Sequence, residues 1–341
     1  MRSVKAVLVA AAVWVGGAGT AVGEPGTGTG APPGPEAYLS PGGVGPRRGW
    51  YVWRHWNPRT REVEISKDPP GEVWTARVLP WTTTYRYLTY GASPDELLPG
   101  ERVNLFLAPD ATNPRAYVCH FQDEVGQMKG HGHSWEIRTV DPSARRFTAS
   151  LHLGTENRTE LTELGFDVDR HCEFWKAGVR VAALPFAPGD RIYLTWIYRG
   201  ERRVAKLAAD DASLNTLRQR EETAVRQRLA REGIGGRVEE VQGAALRLML
   251  FSTYWAQARE LKPGTIVQLA LATADARPTG KHVPVEVVSV KPGGPHGSGP
   301  VDLRLRVPES AAESLRSWTP GTLIRVIDPA GEPESRGAPP R

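Results

Sequence analysis

Leu98-Pro99-Gly100-Glu101-Arg102-Val103 is one of four similar stretches in this chain. The others are Ala187-Pro188-Gly189-Asp190-Arg191-Ile192, Lys262-Pro263-Gly264-Thr265-Ile266-Val267 and Thr319-Pro320-Gly321-Thr322-Leu323-Ile324. Proline presets φ at the second position of a tight turn, and glycine supplies the positive φ of the third. Each turn opens a short run rich in β-branched and aromatic residues: Val103–Leu107, Ile192–Trp196, Ile266–Leu269 and Leu323–Val326. Such runs read as strands.

Two further strands precede each turn. They are Trp50–Trp53 with Glu62–Ile65, Ser134–Arg138 with Arg146–Leu153, Gly236–Val241 with Ala245–Leu250, and Val285–Val290 with Val301–Val307. Val301-Asp302-Leu303-Arg304-Leu305-Arg306-Val307 alternates cleanly, as a half-buried antiparallel strand does. A sheet this small keeps no open edges if it closes on itself. The expectation is a mainly β chain of tandem small antiparallel, OB-like barrels: unit one over 47–125, unit two over 126–204, unit three over 233–277 and unit four over 278–330. The uneven spacing of the turns excludes a strict solenoid. One long helix is expected over Ala205–Glu232, which has no Pro or Gly and carries Leu214, Leu217, Val225 and Leu229 near one face.

The ends read differently. Arg2 and Lys5 precede an uncharged apolar run over Ala6–Val15, and Ala21-Val22-Gly23 puts small residues at −3 and −1. This is the pattern of a cleavable secretory signal over 1–23. The apolar run is too short to span a bilayer, so the mature chain is expected to be secreted or periplasmic and not an integral membrane protein. Residues 24–46 are rich in Gly, Pro and Thr and read as a disordered linker, with a similar tail over 331–341. The formal charge of +5 is that of an ordinary solvated surface, and export argues against nucleic acid as a partner.

The marks Gly236-Arg237-Val238-Glu239-Glu240-Val241, Leu261-Lys262-Pro263-Gly264-Thr265-Ile266-Val267 and Leu97-Leu98-Pro99-Gly100-Glu101-Arg102-Val103 resemble a family of exported bacterial small β-barrel repeat domains of unknown function. Trp50–His133, with Gln122-Asp123-Glu124 after a strand, is similar to hypothetical secreted proteins of planctomycete-type bacteria. The resemblance implies a small-barrel fold and an envelope or secreted location, and no catalytic residues.

The chain lacks a Gly-x-Ser-x-Gly elbow, a phosphate loop and a His-Glu-x-x-His pair. One cluster bears on chemistry: Cys119-His120, Asp123-Glu124, His131-Gly132-His133 and His171-Cys172. A His-x-His on extended chain points both rings to one face, so His120, His131 and His133 are candidate ligands for a transition metal, copper or zinc. The competing use of the two cysteines is a Cys119–Cys172 disulfide, which an exporting compartment permits. Trp50, Trp53 and Trp56 lie among Arg54, His55 and Arg59 and are candidate ligand-binding aromatics, though a spacing of three alternates faces on a strand. The leading expectation is a non-enzymatic envelope or extracellular module that binds a partner or polymer. The alternatives are a metal-binding protein and a secreted enzyme of unknown reaction.

Overall fold

The computed structural model describes residues 47–109, 116–273, 277–293 and 299–328. The signal segment, the linker and the tail lie outside the described residues. The fold is mainly β, built of small closed barrels and one long helix.

The first barrel takes β1 (Arg47–Asn57), β2 (Glu62–Lys67), β3 (Val73–Arg86), β5 (Glu101–Pro109) and β6 (Ala116–Asp123), with the two-residue β4 (Thr89–Tyr90) folded back on β3. Its order is β1-β2-β3-β6-β5, closed by β5 on β1. All neighbours are antiparallel except β3 and β6. Trp53, Ile65, Leu105 and Phe121 fill its centre and are almost wholly excluded from solvent. The short helix α1 (Glu124–Gly130) leads into the second barrel. This comprises β7 (His133–Asp141), β8 (Arg146–Leu153), β9 (Arg158–Lys176), β11 (Arg191–Arg199) and β12 (Arg202–Ala209), with β10 (Val179–Val181) on the side of β9. The order β7-β8-β9-β12-β11 is closed by β11 on β7, and β9–β12 is the parallel pair. Both barrels therefore have the Greek-key closure of an OB-like fold. Ile197 pairs with Glu101 and sews them together.

The expected helix over 205–232 begins too early. Val204–Ala209 belongs to β12, hydrogen-bonded to β11 on one side and β9 on the other. Alanine and leucine favour helix, but completing a buried sheet outweighs a propensity of tenths of a kcal/mol per residue. Asp210 stops the strand: its Oδ1 accepts from the Ser213 N–H at 3.0 Å. Helix α2 then spans Leu214–Glu232 and ends at Gly233, whose φ is 74°. Leu214, Leu217, Val225 and Leu229 form its buried stripe.

Units three and four do not close separately. β13 (Ile234–Gln242), β14 (Ala245–Leu250), β15 (Ile266–Ala272), β16 (Pro278–Pro292), β17 (Val301–Arg306) and β18 (Leu323–Ile327) form one barrel in the order β13-β14-β17-β16-β15-β18. Three strands are too few to close a sheet, so each half completes the other. Leu246 faces Leu305 and Leu248 faces Leu303, with Arg247 opposite Arg304 between them. The short helices α3 (Trp255–Ala258) and α4 (Glu309–Ala312) follow the two hairpins.

The four Pro-Gly turns are used alike. The glycines have φ of 88° (Gly100), 92° (Gly189), 86° (Gly264) and 89° (Gly321), a region costly for residues with a Cβ. Their N–H groups donate to the carbonyls of Trp53 (2.6 Å), Ile137 (2.8 Å), Val287 (2.8 Å) and Val238 (2.8 Å). Each of those acceptors sits at a strand irregularity. In the first two barrels the turn clamps a strand of its own unit. In the third, Gly264 of one half clamps β16 of the other and Gly321 clamps β13 in return. Among the described residues, no helix is long and apolar enough to cross a membrane.

Candidate functional site

The structure does not bring the three predicted metal ligands together. His120 lies on β6 of the first barrel, edge-on to Phe106 at 5.6 Å between ring centres. Burial, and to a lesser degree nearby Arg48, lowers its pKa to about 4 against an opposing hydrogen bond with Gln122. His131 caps the end of α1 and His133 opens β7; their rings stack at 5.9 Å. Among the described residues, no three His, Cys, Asp or Glu side chains come together in a way that could hold a metal ion. The cysteines are separated too. Cys119 is on β6, Cys172 is on β9 of the second barrel, and both are free thiols, so the candidate disulfide is not formed. Burial raises the pKa of each, that of Cys172 to about 12.

The tryptophans serve the first barrel. Trp53 is 1% exposed and packs on Trp56 and Phe121. Half-buried Trp56 donates from Nε1 to Asp95 at 2.7 Å. The Trp50 ring carries the Arg102 guanidinium at 3.7 Å from its centre. Arg102 in turn binds Asp68 at 2.7 Å and Glu124 at 3.3 Å, which fastens β1, β5 and α1 together. These side chains are committed to packing, not arrayed as one binding platform.

A polar cleft of about 320 Å³ lies instead at one end of the second barrel. Ser134, His152, Asn157, Arg191, Tyr193 and Asp211 line it. Register brings them together: Ser134 on β7 faces His152 on β8, His152 faces Thr159 on β9, and Glu136 faces Arg191 on β11. Gly132 and Gly154 form its lip, and a Cβ on Gly154 would lie 1.8 Å from the Gly132 carbonyl oxygen. That is closer than any side chain permits.

The imidazole of His152 is only 3% exposed and its tautomer can be deduced. Thr159 Oγ1 donates to Glu136 Oε2 at 2.6 Å, because an ionised carboxylate only accepts. The Thr159 oxygen is then the acceptor in its 2.9 Å contact with His152 Nδ1, which must carry the proton. Nε2 is left as a bare lone pair, buried and without a partner. Burial, then the nearby Arg191 charge, lowers the His152 pKa against the pull of Glu136, so the ring is neutral. Arg138 steadies Glu136 at 2.7 Å. Across the cleft, Tyr193 donates its hydroxyl to Asp211 at 3.1 Å, and Lys129 pairs with the same carboxylate. Arg191 is exposed and has no hydrogen bond or ion pair with any described residue. Sequence reasoning passed over His152 and Arg191, since no motif links positions so far apart; only strand register does.

A second constellation is buried where the first barrel, α1 and α2 meet. Glu101 is pushed up to about 7 by burial against the pull of Arg86, and Asp123 up to about 6 for the same reasons. Asp123 accepts from the Tyr87 N–H at 3.2 Å and the Gly126 N–H at 3.0 Å. Glu221 of α2 is raised by burial and by the carboxylate of Glu96 beside it. Glu96 is held by Arg228 at 2.8 Å. Its groups answer one another, so the junction holds the barrels in place. No protein-family model and no curated protein matches the chain.

Proposed function

We propose that this chain is an exported, non-enzymatic binding protein that presents the cleft of its second barrel to an envelope or extracellular partner or polymer. The observation that carries the reading is the pairing, in one open cleft, of a fixed neutral acceptor with an uncommitted cation. His152 is locked by Thr159 and Glu136, and Arg191 stands free beside it. The His152 ring, held in place before the ligand arrives, binds without an ordering cost. Export rests on the Arg2/Lys5 start, the apolar run and the small residues before Glu24. The common use of the four Pro-Gly turns supports descent of the strand units from one repeated module.

Two measurements test this. N-terminal sequencing of the chain from its native host should begin at Glu24; intact Met1 in the cytoplasm would overturn export. Immobilised protein should retain an envelope component that the Arg191→Met variant does not. Equal retention by both would overturn the role of the cleft.

A further inference from the structure

Resting on that reading of the cleft, we infer that its ligand is a hydroxylated carboxylate, the chemistry of a uronic acid unit in an acidic polysaccharide. The argument starts from what each wall lacks. His152 Nε2 is an acceptor with no donor among the described residues, on the wall of the cleft. An unmatched buried acceptor is costly, and a ligand that donates to it recovers that cost. The donor must be a neutral hydroxyl or amide. An ammonium would meet the Arg191 cation, which already weighs on the His152 ring.

Arg191 asks for the opposite partner. Its guanidinium offers a planar fork of N–H donors, the shape that a carboxylate matches with two oxygens. On the facing wall Asp211 is already engaged by Lys129 and by the Tyr193 hydroxyl, so it does not repel an anion strongly. Ser134, 5% exposed and directly across from His152, adds a hydroxyl able to donate or accept. The cleft therefore calls for one anionic fork and one or more hydroxyls a few ångströms away. A neutral sugar supplies only the hydroxyls, and a simple carboxylate only the fork. The volume, about 320 Å³, is at the small end of ligand clefts and suits a compact polar ring.

The test is titration of the full mature chain with D-glucuronate, D-glucose, acetate and inorganic phosphate, followed by calorimetry and by imidazole ¹⁵N NMR. Glucuronate should bind at least about tenfold more tightly than glucose or acetate, one charge-assisted contact being worth that factor. Arg191→Met should abolish the preference for glucuronate over glucose. Thr159→Val tests positioning: it should weaken glucuronate while shifting His152 from the Nδ1–H to the Nε2–H form in the spectra. Equal binding of glucose and glucuronate, phosphate binding as tightly as glucuronate, or an Nε2–H tautomer in the wild type would overturn the inference. If no glucuronate binds yet Arg191→Met still loses the envelope component, the ligand class is wrong and the cleft reading stands. If Arg191→Met changes neither measurement, both fall.

Discussion

Replacing Glu221 by glutamine turns a proton that the fold must retain into a permanent N–H donor. Glu221 Oε1 and Glu96 Oε2 are both buried and neither accepts a hydrogen bond, although Arg86 pairs with Glu96 Oε2 at 3.7 Å. The missing donor is a proton on Glu221 shared with Glu96, whose Oε1 is held by Arg228 at 2.8 Å. Burial, then the neighbouring Glu96 carboxylate, holds the Glu221 pKa well above the ordinary glutamate range. A raised carboxyl pKa means that the native state holds its proton where the unfolded chain has released it. The protonated pair is therefore fully stabilising below the unfolded value near pH 4.3, and stability drains away as pH climbs toward the folded value. One proton accounts for at most about 1.4 kcal/mol per pH unit, or about 2.7 kcal/mol between pH 6 and 8. Water entry on deprotonation reduces this to about 1–2 kcal/mol, equivalent to roughly 2–8 °C in melting temperature for a chain of this size. Glu101 and Asp123 add their own pH slope, but they do so in both proteins. Thermal melts followed by tryptophan fluorescence at pH 6 and 8 should show an advantage for Glu221→Gln that is already present at pH 6 and larger at pH 8. Glu221→Leu, which leaves Glu96 Oε2 without a hydrogen-bond donor, should be weaker at both. Parallel pH curves for wild type and Glu221→Gln would refute the shared proton.

Four other outcomes are expected. Trp53→Ala empties the first barrel and should cost about 3–5 kcal/mol in urea denaturation; a loss below about 1 kcal/mol would mean the site relaxes around the gap. Gly321→Ala forces a Cβ into a φ of 89° and should destabilise by at least about 1–2 kcal/mol, because it also loosens the clamp on Val238; an unchanged unfolding midpoint would contradict that use of the turn. Thiol counting in denaturant without reductant should find both Cys119 and Cys172 free, with slow labelling in the folded state because burial disfavours the thiolates; a count of zero would restore the bridge. Zinc should bind wild type and His131→Ala/His133→Ala equally weakly, and tight binding lost in the variant would bring back a metal site.

The amino-acid sequence by itself determines the local geometry. A Pro-Gly pair sets its own turn through two φ angles, Val301–Val307 alternates because a strand has a period of two, and Gly233 ends the helix because it alone tolerates the required φ. Those signals sit within a few residues of what they control. The barrels' closure does not. β3 pairs in parallel with β6 across about thirty intervening positions, and nothing near Val73 or Ala116 records its partner. Ala205–Ala209 looks helical until β9 and β11 are present to pair with it. Units three and four read as separate because the exchange of Gly264 and Gly321 is a contact between halves. The cleft follows the same rule. Cys119-His120 lies on β6 of the first barrel and His171-Cys172 on β9 of the second, while Ser134, His152 and Arg191 meet only because three strands settle into one register. Register is fixed by which faces bury their side chains, a property of the assembled sheet and not of any short stretch.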